Sequence, residues 1–343
     1  DPNGFMTSAA FAAGFPEHVA RHNLPLLEQT EVQALERCGD GYIARTSQGP
    51  IMAQTAVIAS GACARAKVPG FAQELPDRVA QISPIDYRRP SDLSGGDVLV
   101  VGASASGLQL ARELALSGRR VTISVGSHGR MPRSYRGADI LLWMDRIGAF
   151  DEPFTEVDDL ERVRRTPSLP LMGSPTGDTI DLNALQDIGV EIVGRTADIR
   201  DGSVLFSGGL SNVCASADLK MNRLLDRIDD WIRERGLDAD VQPARRFEPT
   251  RLPSDPRLAL SVDAFDTVIW ATGFSPDHDF VKMPVFDRKG RIRHQGGVVE
   301  PGLCVMGLPF LRTYRSVHID GAPRDARALS QDIAQSLEMP RAA

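Results

Sequence analysis

The stretch DVLVVGASASGLQLARELALSGRRVTISV, residues 97–125, decides the fold of this chain. Its apolar run Val98–Val101 indicates a buried strand, and a small-residue turn separates that run from an amphipathic helix from about Gly107 to Ser117. A second strand, from Arg120 to Val125, follows after a short connection, as a parallel crossover requires. The segment therefore predicts a β-α-β unit.

The turn of this unit carries a dinucleotide-binding pattern. Gly102 permits a tight turn, Gly107 lets helix and strand approach closely, and the N–H groups that begin the helix can bind a pyrophosphate. Ala103, Ser104 and Ser106 lie between the two glycines, and Ser104 replaces the middle glycine of the pattern. Serine is small enough to keep the backbone near the phosphates. The alternative is a purely structural strand-to-helix turn.

The residues after the second strand favour NADPH over NADH. In an NAD site, a carboxylate that closes this strand binds the ribose diol. Here the strand is followed by GSHGRMPRSYRG, residues 126–137, with Arg130, Arg133 and Arg136 and no acidic residue before Asp139. These arginines predict charge-assisted contacts to the 2′-phosphate of NADPH. The alternative for any one of them is a solvated basic loop.

Length and composition restrict the class of protein. A chain of 343 residues exceeds the usual size of a single core and predicts two domains. A formal net charge of -6 argues against a nucleic-acid partner. The sequence contains neither an apolar run of roughly 20 residues nor a secretory leader, which predicts a cytoplasmic protein without a membrane span. It leaves the oligomeric state open.

The cysteines and histidines argue against several kinds of site. The four cysteines have no C-x-x-C spacing, so we predict reduced thiols rather than a redox disulfide or a zinc site. His128, His278, His294 and His318 stand singly, without metal-ligand spacing or a recognisable nucleophile motif, and are predicted to be non-catalytic.

Two other strands also end in small residues. Residues 56–59 run into Ser60 and Gly61, and residues 268–270 run into Ala271, Thr272 and Gly273. Small residues at a strand end let a nucleotide approach the backbone. The alternative is a strand followed by an ordinary glycine turn.

The order of these motifs carries a family resemblance that covers most of the chain. DPNGFMT at 1–7, ASG at 59–61, DYRRP at 86–90, GASASG at 102–107 and TVIWATGFSPD at 267–277 together resemble the flavin-dependent monooxygenases of the N-hydroxylating, flavin-containing and Baeyer–Villiger group. The resemblance implies an α/β fold with two dinucleotide-binding, Rossmann-like domains, in which an NADPH domain is inserted into an FAD domain. It implies FAD-binding segments at 1–92 and 266–343 and an NADPH-binding domain at 93–265.

The resemblance also assigns residues to the two cofactors. It places Ser60 and Gly61 near FAD, the turn at 102–107 on NADPH, and Thr272 and Gly273 at the return to the FAD domain. Asp320 precedes a helix predicted at 321–337, and a helix N-terminus there could face the polar edge of the flavin. The alternative for Asp320 is a simple helix cap.

Two motifs of the family differ in this sequence. Members of the family carry a glycine-rich FAD fingerprint before the DP-GF segment, and the sequence shows none. We therefore expect the chain to begin within a longer protein and the FAD domain to be incomplete. The family's F-x-G-x-x-x-H signature would place its histidine near Ser83, where only the following residues remain similar: Asp86, Tyr87, Arg88 and Pro90.

The expected activity is transfer of a hydride from NADPH to FAD, followed by reaction with oxygen and a small organic substrate. The cofactors would carry this chemistry, so no acid–base pair need be visible, and the sequence identifies no catalytic residue. The degraded signature near Ser83 favours an NADPH-dependent flavin reductase or oxidase without oxygen insertion as one alternative. A non-catalytic nucleotide-binding fragment is the other.

Overall fold

A computed structural model describes residues 4–174 and 176–338. The helices within these residues are α1 (Ser8–His22), α2 (Ala105–Leu116), α3 (Ile140–Arg146), α4 (Leu160–Arg164), α5 (Leu182–Asp187), α6 (Leu210–Glu234) and α7 (Ala322–Glu338). The strands are β1 (Val32–Cys38), β2 (Gly41–Thr46), β3 (Gly49–Ala53), β4 (Ala56–Ile58), β5 (Arg65–Ala66), β6 (Ala80–Ile82), β7 (Val98–Val101), β8 (Val121–Val125), β9 (Ser134–Tyr135), β10 (Ala138–Asp139), β11 (Glu191–Gly194), β12 (Thr196–Arg200), β13 (Ser203–Phe206), β14 (Ala259–Ser261), β15 (Thr267–Trp270), β16 (Phe274–Ser275), β17 (Val298–Glu300) and β18 (Leu303–Val305).

The chain divides into two compact units. The first takes the chain up to Ala64, Phe150–Arg164 and the chain from Pro276, and the second takes Arg65–Ala149 and Arg165–Ser275. The division falls at 64/65 and 275/276, whereas the sequence predicted 92/93 and 265/266. The reason is that β6 and β15 both join the parallel sheet that contains β7. The assignment of a cofactor to each unit stays a prediction.

The second unit is built on that parallel sheet, with strand order β11-β8-β7-β15-β6. All four residues of β7 and of β15 are buried, which is typical of a parallel sheet covered on both faces. Helix α2 returns the chain from β7 to β8, so the predicted β-α-β unit is confirmed. An antiparallel sheet of order β12-β13-β14 and the long helix α6 complete this unit.

The first unit contains an antiparallel meander, β1-β2-β3, and a mixed sheet of order β17-β18-β4. In the mixed sheet β4 and β18 run parallel, with Ile58 beside Val305. Residues 303–305 are fully buried beneath α7, whose Leu329 belongs to the same apolar cluster. The helix predicted at 321–337 is confirmed as α7. None of the described helices combines the length and the apolar character that crossing a lipid bilayer demands.

Candidate functional site

The turn after β7 has the geometry of a phosphate-binding loop. Gly102 has a φ of +113°, and a Cβ at this position would lie 2.3 Å from the carbonyl oxygen of Ala271. Its N–H donates a hydrogen bond of 2.9 Å to the Ser124 carbonyl. Only glycine satisfies both the left-handed backbone and the close contact with the neighbouring strand. The tight turn predicted at Gly102 is therefore present.

Gly107 brings helix α2 onto the turn. A Cβ on Gly107 would lie 1.9 Å from the Gly102 carbonyl oxygen, so any side chain here would push the helix away from β7. Ser104 is the N-cap of α2, but its side chain caps no backbone N–H. The first N–H groups of an α-helix lack intrahelical partners, and here they belong to the small, half-buried residues Ala105 and Ser106. This is a surface to which a phosphate can bind.

A cavity of about 430 Å³ opens at this edge of the sheet. It lies where the carboxyl ends of β7, β8 and β15 meet, which is where open α/β sheets bind ligands. Its lining contains two cations and no carboxylate, and it consists of Lys67, Val68, Pro69, Phe71, Val101, Gly102, Ser124, Gly126, Ser127, Arg195, Thr196 and Thr272. An anionic ligand is therefore favoured over a cationic one.

Arg130 does not have the free guanidinium that the sequence predicted. It is 7% exposed, and it donates to Asp181 at 2.9 Å and to Asp218 at 2.8 Å. Asp181 also caps α5 through the Ala184 N–H, and Asp218 also accepts from the N–H and hydroxyl of Thr250. The charge of Arg130 is neutralised inside the second unit. This disfavours the contact with a 2′-phosphate that the sequence predicted, and that contact stays a prediction.

Arg133 and Arg136 are occupied in the same way. Arg133 is 7% exposed and pairs with Asp139, the residue that caps α3. Arg136 donates to the buried Asp229, which also accepts from the Tyr135 hydroxyl. Burial, followed by this carboxylate, raises the pKa of Tyr135 to about 12. The basic segment is thus an internal ion-pair network rather than a solvated loop. Its predicted contact with a nucleotide stays a prediction.

A different arginine, Arg195, lies beside the end of β8. It follows β11, which pairs with β8 in parallel register, and its side chain passes over Gly126. A Cβ built on Gly126 would lie 3.6 Å from the Arg195 Cγ, an ordinary van der Waals distance. Arg195 is exposed, and within the described residues its side chain has no ion pair and no hydrogen bond.

A buried hydroxyl pair fixes the turn that carries Arg195. Ser124, 1% exposed, donates to the Gly194 carbonyl at 3.0 Å and accepts from the Thr196 N–H and hydroxyl at 2.8 and 2.7 Å. The Arg195 carbonyl in turn accepts from the Ser207 N–H at 2.8 Å. The backbone on both sides of Arg195 is therefore held, while its guanidinium remains in solvent.

Thr272 lines this same cavity in the second unit, and Gly273 follows it in the chain. The Thr272 hydroxyl donates to the Lys67 carbonyl, and the Lys67 N–H donates to the Gly273 carbonyl at 2.9 Å. Gly273 has a φ of +96°, with no atom within 4 Å of an added Cβ. The structure therefore groups these two residues with Gly102. Their predicted contact with a nucleotide stays a prediction.

Ser60 and Gly61 lie in the first unit, at the end of β4. Gly61 has a φ of +76°, and a Cβ built on it meets no heavy atom within 4 Å. The neighbouring parallel strand β18 ends near Gly307, where an added Cβ would lie 3.8 Å from the Gly61 Cα. Two parallel strands therefore end side by side on glycines with open room beside the backbone. This arrangement leaves room for a nucleotide, and the contact with FAD that the resemblance implies stays a prediction.

Asp320 is exposed, and it accepts a 2.6 Å hydrogen bond from the buried Arg315. Arg315 also pairs with Asp151 at 2.8 Å, and its guanidinium lies 5.1 Å from the Phe150 ring. Hydrogen bonding to Arg315 is the first cause that holds the pKa of Asp151 below its usual range. Asp320 thus anchors the chain before α7, and a role toward flavin stays a prediction.

The thiols and imidazoles show no activated group. The four cysteines are free; Cys214 and Cys304 are buried, and Cys38 and Cys63 are exposed. Burial raises the pKa of the Cys214 thiol to about 11. Burial lowers the pKa of His294 to about 4, and smaller reductions with the same leading cause affect His128, His278 and His318. The Cys214 thiol and these four imidazoles are therefore neutral at pH 7.

Arg195 and Lys67 were missed by the sequence reasoning. Arg195 follows EIVG at 191–194, which is a short apolar strand ending in glycine. Recognising it as a third parallel strand would have placed its carboxyl end beside the nucleotide turn, because parallel strands end at a common edge. Lys67 has no comparable pattern, since only the tertiary fold brings it to Thr272.

Comparisons with known proteins agree with this geometry. Residues 6–140 match the family model described as pyridine nucleotide-disulphide oxidoreductase. The CzcO-like oxidoreductase of Geobacillus kaustophilus is 29% identical over 336 residues, which is 97% of this chain and 80% of that protein.

Two solved structures share the fold. A flavin-containing monooxygenase from Stenotrophomonas maltophilia superposes with a TM-score of 0.59 at 16% identity, covering 94% of this chain and 76% of that one. The FAD-bound cadaverine monooxygenase DfoA from Erwinia amylovora gives 0.52 at 14% identity, covering 89% and 68%. The resemblance drawn from the sequence is thereby confirmed: this chain is similar to the pyridine nucleotide-disulphide oxidoreductases and has a fold like that of the flavin monooxygenases.

Proposed function

We propose that this chain is an FAD- and NADPH-dependent oxidoreductase of the monooxygenase type. The observation that carries the proposal is the cavity at the carboxyl edge of the parallel sheet, which Gly102, Lys67 and Arg195 line without a carboxylate. Gly102 begins the turn that leads into α2. The kinship with oxidoreductases and the flavin monooxygenase fold support it.

The chain's own residues would bind and orient the nucleotides. The α2 N-terminus and the glycine turn would hold a pyrophosphate, while Thr272 and Gly273 would border the bound nucleotide. Ser60, Gly61 and Gly307 would let FAD approach the first unit. When bound, NADPH would supply a hydride, and FAD would accept it and pass the electrons to oxygen. No side chain need then act as acid or base.

An NADPH-dependent flavin reductase that does not insert oxygen is the second candidate. Ser83, near which the family signature would place a histidine, is 5% exposed, and its hydroxyl donates to Asp86 at 2.7 Å. This hydroxyl belongs to a local turn after β6, where its hydrogen bonds are made to neighbouring residues. It is therefore not available to a cofactor as a histidine side chain would be. A disulfide reductase is disfavoured because the four cysteines have no C-x-x-C spacing and all are free.

The test is an absorption spectrum of the purified chain, taken after incubation with FAD and removal of free flavin, followed by anaerobic addition of NADPH. We expect flavin to be retained and its visible band to bleach. A chain that binds NADPH but retains no flavin would contradict the oxidoreductase proposal and leave a nucleotide-binding protein.

A second measurement separates the two candidate reactions. The flavin-loaded chain is supplied with NADPH and ¹⁸O₂ and offered a panel of small thioethers and amines. Label in a product supports the monooxygenase. Peroxide formed in proportion to NADPH, with no labelled product, supports the reductase or oxidase.

A further inference from the structure

We propose that Arg195 is the residue that selects NADPH over NADH. This inference rests on the proposed function, since it assigns the specificity of the same dinucleotide cavity. It assigns the contact with the 2′-phosphate to a single arginine that follows β11, whereas the sequence assigned it to the basic segment after β8.

The position of Arg195 is the first reason. In a dinucleotide fold the ribose that carries the 2′-phosphate binds at the end of the second strand of the β-α-β unit, which here is β8. The residues at that end are Gly126 and Ser127, neither of which carries a charge. The Arg195 side chain covers Gly126 at van der Waals distance and so brings a guanidinium to this place from the adjacent strand.

Charge is the second reason. Arg195 has no carboxylate partner within the described residues, and none of the cavity-lining residues is acidic. Arg130, Arg133 and Arg136 are each neutralised by a carboxylate. An exposed arginine beside a ribose site can form a bidentate, charge-assisted contact with a phosphate, whereas a neutralised one cannot.

Rigidity is the third reason. Gly194 packs so closely that an added Cβ would lie 1.9 Å from the Ser207 carbonyl oxygen, and Thr196 is tied to the buried Ser124. The backbone of Arg195 is therefore fixed before any ligand arrives. A preorganised backbone reduces the entropic cost of ordering a long side chain on binding.

The test compares the affinities of the full chain for NADPH and NADH by titration calorimetry. Arg195→Leu is expected to weaken NADPH binding roughly ten- to a hundredfold, as for the loss of a charged hydrogen bond, and to leave NADH binding within about threefold. Arg200→Leu is the matched control: it removes an exposed arginine from the far end of β12 and should change neither affinity.

A rescue distinguishes charge from packing. In the double variant Arg195→Ala with Gly126→Arg, a guanidinium returns from the other side of the same contact, and the preference for NADPH is expected to recover in part. If the wild type prefers NADPH and Arg195→Leu keeps that preference, this inference is wrong and the dinucleotide site stands. If the wild type binds NADH as tightly as NADPH, the inference is also wrong. If it binds neither, the proposed function fails as well.

Discussion

Two arginine-bearing segments leave the same parallel sheet of the second unit, and they differ in what their charges contact. The segment after β8 buries Arg130, Arg133 and Arg136 against carboxylates, while the turn after β11 leaves Arg195 exposed beside the cavity. The first segment has more positive charge, yet its guanidinium groups are taken up by internal ion pairs. The availability of a cation to a ligand depends on its partners, not on how many basic residues a segment contains.

We expect the largest effect on stability from a substitution of Arg130. Arg130→Met would leave Asp181 and Asp218 buried without their cation, and the free energy of unfolding should fall by about 3 kcal/mol. Arg195→Met removes an exposed side chain and should cost no more than about 0.5 kcal/mol. Urea denaturation of both variants checks this. Equal losses would show that the two arginines are not used differently.

A substitution at Gly102 is expected to have an effect of similar size on stability. Gly102→Ala combines an unfavourable φ with a contact of 2.3 Å to the Ala271 carbonyl, and we expect a destabilisation of about 3 kcal/mol and weaker NADPH binding. Gly118→Ala is the matched control, because Gly118 has a φ of +90° but open space around an added Cβ. It should cost about 1 kcal/mol and leave binding intact. Similar losses of NADPH affinity in both variants would contradict the role of the turn.

His294 is a half-buried base that lacks an acidic partner, and it tests how burial and a neighbouring cation affect stability. Burial, and then the neighbouring Arg164, hold its pKa near 4, so the folded protein keeps His294 neutral while the unfolded chain takes up a proton near pH 6.5. The unfolded state binds more protons between these values, and stability falls as the pH is lowered from 6.5 toward 4.

We expect the wild type to lose about 2 kcal/mol more than His294→Gln between pH 7 and pH 4.5, which equilibrium unfolding at several pH values would measure. A pH dependence that is the same in both proteins would show that His294 does not titrate between its folded and unfolded states in this way.

We expect the smallest loss of stability at Ser124, whose substitution tests whether the backbone beside Arg195 must be held in place. Ser124→Ala removes the acceptor of the Thr196 N–H without touching a charge, and should cost about 1–2 kcal/mol. Because the Arg195 turn would loosen, NADPH affinity should fall by a few-fold while NADH affinity holds. Ser117→Ala, which loses one hydrogen bond at the far end of α2, is the control. An unchanged preference for NADPH would show that Ser124 does not influence nucleotide binding through Arg195.

More of the fold than of the candidate site could be predicted from the sequence. The β-α-β unit and the roles of Gly102 and Gly107 follow from local sequence, because strand period, helix period and glycine geometry act over a few residues. The fate of Arg130 does not, since its partners lie 51 and 88 residues further along the chain. Arg195 was missed for the same reason: its place beside Gly126 depends on the pairing of β11 with β8.

The measurement that tests the account most directly is hydrogen exchange of the full chain with and without NADP⁺. We predict slower exchange at 102–108, 124–127 and 194–196, with no change at 130–136. Protection of 130–136 without protection of 194–196 would contradict the role of Arg195. It would indicate that the basic segment contacts the 2′-phosphate.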